Sequence, residues 1–155
     1  MTSAVAESRK FEFTTQSGMD TIDVGRKLAA LLNPPQLLVL RGDLGTGKTT
    51  LVKGIAQALD AADADEVTSP TFTLIHEYEG TREGKPVKLF HLDVYRLEGE
   101  RQLESLGIDD LLTDDAIVLV EWGEKFKSIR KKATGEIAIA ATGGDGRTIT
   151  VTLKD

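Results

Sequence analysis

The stretch GDLGTGKT, Gly42 to Thr49, sets three glycines, a lysine and a threonine at the spacing GxxxxGK[ST]. Glycines at 42, 45 and 47 allow a tight turn that aims successive backbone N–H groups inward, and a helix starting behind the turn adds its positive end. Lys48 then brings a point charge to β and γ phosphates, and the Thr49 hydroxyl is the right donor for magnesium. The expected nucleotide lining is Asp43, Leu44, Gly45, Thr46, Gly47, Lys48, Thr49 and Thr50. A magnesium ion at such a loop also needs an acidic partner. Two apolar runs end in one: KLFHLD in Asp93 and AIVLVE in Glu121. The second is the cleaner buried strand, so Glu121 is expected at the metal, directly or through water, with Asp93 orienting the attacking water or the metal's water shell. TSPTFTLIHEY, Thr68 to Tyr78, follows where switch segments of phosphate-loop proteins lie. Thr71 is its candidate for touching the γ phosphate, with Ser69 and Thr73 as neighbours, although a turn entering a strand uses the same residue types. The guanine-selecting pattern NKxD does not occur, which favours ATP.

These residues need a sheet to hold them. KFEFTT reads as a strand, TIDVGRKLAALL as a helix stopped by NPP, and QLLVL as a strand buried on both faces that feeds the glycine loop. TTLVKGIAQAL carries the helical period that should follow. FTLIHEY and VKLFHLDVY are strand candidates joined by a turn in EGTREGKP, and ERQLESLGIDDLL reads as a short helix and a connector. AIVLVEW is another buried strand, and GEIAIAA and RTITVTL flank the hairpin signal TGGDG. The expected fold is α/β and P-loop NTPase-like, one domain over residues 1–155 with a single central mixed sheet of about seven strands flanked by helices. The first nine and last two residues are expected to fray.

Composition narrows the function classes. Cysteine is absent and only 2 histidines occur, which removes disulfides, thiolate chemistry and a histidine-built zinc site. A formal net charge of -6 argues against this chain alone gripping a polyanion. No window has the length and apolarity of a membrane helix, and a cytosolic protein is expected. The basic run KFKSIRKK, Lys125 to Lys132, is the local exception, suited to tRNA or a partner's acidic face, or else simply a solvated helix face. His76 and His91 fall in mid-strand, where a hydrogen-bonded core histidine is common, and neither is assigned a role.

GDLGTGKTTLVKG, SPTFTLIHEY, HLDVYRL and VEW, in this order, resemble the TsaE family, formerly called YjeE, the ATPase of bacterial tRNA threonylcarbamoyladenosine synthesis. The resemblance runs from about Gly18 to Glu124 with every motif position filled. It implies that Lys48 and Thr49 hold phosphate and magnesium, that Glu121 is the second magnesium ligand, and that Asp93 and the switch residue Thr71 serve catalysis. It also implies that Trp122 lies beside the nucleotide and that adenine lies near TQSGMD, which contains Gly18, and near Arg147 in the late hairpin. The implied partners are the proteins TsaB and TsaD, which transfer the threonylcarbamoyl group to an adenosine beside the anticodon. The family docks on that pair, its ATP hydrolysis permits repeated rounds, and the partners make most of the contact with tRNA. Arg96 is a local candidate for an arginine finger, or else a structural ion-pair partner.

From the residues alone two other readings stay open. A small-molecule kinase uses a similar loop and sheet, but RLEGERQLESLGIDDLL, where a lid would fall, is neither glycine-rich nor arginine-rich. A nucleotide-dependent binding switch with negligible hydrolysis would retain intact ATP through partner-binding cycles.

Overall fold

A computed structural model describes residues 8–43, 45–63, 66–70 and 74–154. Its chain runs β1 (Ser8–Thr15), α1 (Gly18–Leu31), β2 (Gln36–Arg41), α2 (Lys48–Ala58), β3 (Ile75–Arg82), β4 (Lys85–Asp93), α3 (Glu100–Glu104), α4 (Ile108–Leu111), β5 (Ala116–Glu121), α5 (Lys127–Lys132), β6 (Gly135–Gly143) and β7 (Gly146–Lys154). All 7 strands form one sheet in the order β1-β7-β6-β2-β5-β4-β3. Its middle is parallel, β6 with β2, β2 with β5 and β5 with β4, while β1, β7 and β3 add antiparallel margins. The fold is thus the mixed, P-loop NTPase-like α/β sheet expected from the strand and helix alternation.

Burial follows strand position. β5 is buried at every residue, as its unbroken apolar run predicts for a strand covered on both faces. Alternate residues split the core in two. Leu38, Leu40, Leu89, Ile117 and Leu119 pack with α1 and α2, whereas Leu37, Val39, Phe90, Leu92, Val118 and Val120 pack with Leu103, Ile108 and Ile129 of α3, α4 and α5.

Three local departures from the sequence reading have clear causes. Ser8 and Arg9 are ordered in β1, and Lys154 in β7, because the two strands pair along their whole length from Ser8 with Lys154 to Thr15 with Arg147. β4 ends at Asp93 rather than continuing to Tyr95, because the Asp93 carboxylate accepts the Tyr95 amide at 2.9 Å and turns the chain. ERQLESLGIDDLL is two short helices separated by Gly107, whose φ of 68° interrupts the helix.

α1 and α2 cross so closely that their backbones touch. A Cβ on Gly54 would lie 2.0 Å from the Ile22 carbonyl oxygen and 2.9 Å from Gly25 Cα. Gly54→Ala is expected to push the helices apart and lower stability by about 1–3 kcal/mol. Chemical denaturation monitored by circular dichroism checks this, and an unchanged midpoint would contradict the close crossing.

Candidate functional site

The parallel strands deliver their C-terminal ends to one edge of the sheet, the location where open α/β sheets bind ligands. β2 runs out at Arg41 into the glycine loop, and in the ladders Leu40 pairs with Glu121, which pairs on its other side with Asp93. The two acids singled out from the sequence therefore lie side by side, next to the strand that feeds the loop.

The loop is held by its own atoms. Thr46 donates from its amide and its hydroxyl to the Asp43 carbonyl, at 3.2 and 2.8 Å. Gly47, with φ 106°, sits in the left-handed region and starts α2 without any side-chain cap. The first turn of α2 carries no acidic residue either, so the helix presents bare amides and the positive end of its dipole towards the loop. Lys48, Thr49 and Thr50 form that first turn.

Lys48 is buried, and its ammonium is held from three sides. Nζ donates to the Gly42 carbonyl at 2.6 Å, lies 3.4 Å from Glu121 Oε1, and sits 5.0 Å from the centre of the Trp122 ring. Trp122 reaches that position through a left-handed backbone, φ 66°, a conformation costing a bulky residue about 1–3 kcal/mol. Its ring also packs on Tyr95 at 4.9 Å.

Glu121 is 4% exposed, and its second oxygen, Oε2, is 2.5 Å from His91 Nε2. Burial by itself would raise this carboxyl. The hydrogen bond and electrostatic attraction of His91, followed by those of Lys48, outweigh that effect and hold it below its ordinary value of 4.5. Glu121 is thus ionised at neutral pH although it lies inside the protein. His91, to which the sequence reading assigned no role, is the buried neighbour of Glu121; it lies inside an otherwise apolar strand run two residues before Asp93, on the same face.

The late hairpin joins the site through Arg147. Its guanidinium donates to Thr46 O at 2.7 Å and Gly45 O at 3.5 Å, and also to Gly144 O and Gly146 O, so one side chain ties the phosphate loop to the β6–β7 turn. Arg147 pairs with Thr15 across the β1–β7 ladder, which brings the exposed Gly18 turn to the same side. A cleft of about 660 Å³ lies between the loop, Trp122 and the inner residues of β6 and β7. Thr71 and Leu44 lie outside the described residues, as does Thr73. Arg96 is exposed on the turn after β4. The basic run is partly committed to the protein itself: Lys125 Nζ donates to Tyr95 O and Leu97 O, Arg130 to Glu124 O, and Lys132 pairs with Asp109.

The family model described as "Threonylcarbamoyl adenosine biosynthesis protein TsaE" matches residues 15–149, spanning the glycine loop, both acids and Arg147. The chain belongs to the TsaE family. It is similar to the tRNA threonylcarbamoyladenosine biosynthesis protein TsaE of Bacillus subtilis, 37% identical over 93% of this chain and 86% of that one. Another TsaE, from Streptomyces coelicolor, is 39% identical over 84% of this chain and 88% of its own. Among solved structures, that of Bacillus subtilis YdiB superposes with a TM-score of 0.68 at 31% identity, covering 96% of this chain and 88% of that chain. The family match thus contains the buried Lys48–Glu121 pair as well as the loop.

Because Glu121 titrates lower folded than unfolded, it stabilises the fold at pH above its unfolded value, and that contribution is lost as pH falls through the folded one. Unfolding free energy measured as pH is lowered from about 5 should therefore fall more steeply for the wild type than for Glu121→Gln. Parallel profiles would show that the carboxylate is not held in this way.

Proposed function

We propose that this TsaE-family protein acts in tRNA threonylcarbamoyladenosine biosynthesis by binding ATP with magnesium and hydrolysing it to ADP and phosphate while docked on TsaB and TsaD. The observation that carries this reading is the buried Lys48 ammonium, held between Gly42 O and Glu121 at the uncapped start of α2. That arrangement keeps a cation ready where the β and γ phosphates would lie, with free helix amides around it. On binding, Lys48 exchanges the Gly42 carbonyl for phosphate oxygens.

The donors at the site fit magnesium. The Thr49 hydroxyl and the Glu121 and Asp93 carboxylates are all hard oxygens, and Glu121 is ionised. When bound, magnesium supplies neutralisation of the charge that spreads over the phosphoryl oxygens. Glu121 and Thr49 hold that side of the nucleotide, directly or through water. Asp93, next to Glu121 in the ladder, orients the attacking water, and Thr71 reports the γ phosphate. The cleft lined by Gly45, Thr46, Trp122 and Thr148 takes the rest of the nucleotide, with Arg147 bracing the loop beside it.

Positioning and charge neutralisation give only part of the rate at such sites, and a group supplied by a partner often gives the rest. Slow turnover by the chain alone and faster turnover with TsaB and TsaD follow. The chain's net charge of -6 suits a subunit whose partners grip the tRNA. No described helix is long and apolar enough to cross a membrane, and a cytosolic location goes with the proposed role in tRNA modification.

Magnesium-dependent phosphate release from ATP, measured with and without TsaB and TsaD, tests this reading. Partners should stimulate release, and Lys48→Ala and Asp93→Asn should each lower the stimulated rate by about 100-fold or more, with circular dichroism confirming that both variants fold. Equal release with and without partners, or phosphate appearing on an added acceptor, would overturn it.

A further inference from the structure

His91 lies in a strand that looks purely structural, yet its surroundings are not those of a packing residue. It is fully buried and shares its face of β4 with Val87, Leu89 and Asp93. In the β4–β5 ladder it stands beside Leu119, with Glu121 two residues further on, so its ring reaches diagonally towards the site. Nε2 is 2.5 Å from Glu121 Oε2. Oε2 is a carboxylate oxygen that accepts, so Nε2 is the ring nitrogen placed to donate to it.

The opposite ring nitrogen argues against a purely structural role. Nδ1 is buried with no hydrogen-bond partner among the described residues. Orphaned buried polar atoms are costly, and a leucine at this position would fill an apolar layer without one. What an apolar side chain cannot supply is the N–H on Oε2.

That N–H matters because the other restraint on Glu121 is temporary. Lys48 touches Oε1 at 3.4 Å, but Lys48 is the group that turns to phosphate when nucleotide binds. A flexible carboxylate with one oxygen released keeps its direction only if the other stays anchored. His91 anchors it from a strand that does not belong to the loop.

We propose that His91 is a positioning residue. By donating from Nε2 to Oε2 it keeps Oε1 of Glu121 directed at the phosphate loop, in the orientation from which Glu121 meets the magnesium of the bound nucleotide. This rests on the assignment of Glu121 as a magnesium ligand made above. Groups that orient a ligand in this way typically change metal affinity 10- to 100-fold when removed.

The test is a calorimetric titration of magnesium into the full chain saturated with a non-hydrolysable ATP analogue, paired with titration of the analogue in EDTA. Three variants separate donor from packing. His91→Gln sets an amide nitrogen near the position of Nε2, His91→Asn stops short of Glu121, and His91→Leu removes both nitrogens while suiting the apolar strand. His91→Asn and His91→Leu should weaken magnesium about tenfold and leave metal-free nucleotide affinity unchanged, while His91→Gln should stay close to the wild type. Thermal melts identify any variant that does not fold, and either Asn or Leu alone suffices. Unchanged magnesium affinity in the folded Asn or Leu variant, or an equal loss in His91→Gln, overturns the proposal. Glu121→Gln separates the two claims: if it leaves magnesium affinity unchanged, the ligand assignment fails, whereas if it weakens magnesium and His91→Leu does not, only the positioning role fails.

Discussion

A carboxylate buried inside a protein stays charged only if its neighbours repay the loss of water, and the architecture of this site follows from that requirement at Glu121. Two groups meet it, one on each oxygen: Lys48 on Oε1 and His91 on Oε2. Lys48 comes from the start of α2, His91 from β4 and Glu121 from the end of β5. The contact therefore exists only when the order β2-β5-β4 is correct and α2 lies over its own face of the sheet. It also holds the Lys48 ammonium inside the fold beside the glycine loop, between the Gly42 carbonyl and the Glu121 carboxylate.

The rest of the fold keeps that geometry stiff. Parallel strands covered by helices on both faces bury β5 completely, so the acid at its end has little freedom to move into water. The glycine contact between α1 and α2 lets the two helices pack with their backbones in contact. From the other side, Arg147 crosses from the β6–β7 hairpin to the carbonyls of Gly45 and Thr46. Hydrogen bonds from a charged guanidinium to carbonyls are stronger than neutral ones.

Most elements were legible in the sequence because each carries its own periodicity. QLLVL and AIVLVE are short apolar runs bounded by turns, and both are central strands. The helix after the loop and the TGGDG hairpin were equally readable. Boundaries were less so. β4 stops two residues early because the Asp93 side chain takes the Tyr95 amide, a local hydrogen bond that hydrophobic pattern does not encode. Ser8 and Lys154 are ordered because they pair with each other from opposite ends of the chain, and nothing near either residue signals it. Within the site, Lys48 and the two acids could be named from spacing. His91 could not be paired with Glu121, since that partner lies 30 positions away on another strand.

The amino-acid sequence by itself determined the glycine-rich loop motif, the strand and helix alternation and which acids end the central strands, because these depend on residues close together in the chain. The family motifs are local in the same sense. Tertiary structure alone decided which oxygen of Glu121 faces Lys48 and which faces His91, that Trp122 lies over Lys48, and that Arg147 braces the loop from 101 residues away. Those contacts depend on strand order and register, and the free energy of a buried ion pair depends on distance and dielectric environment, neither of which exists until the sheet has formed.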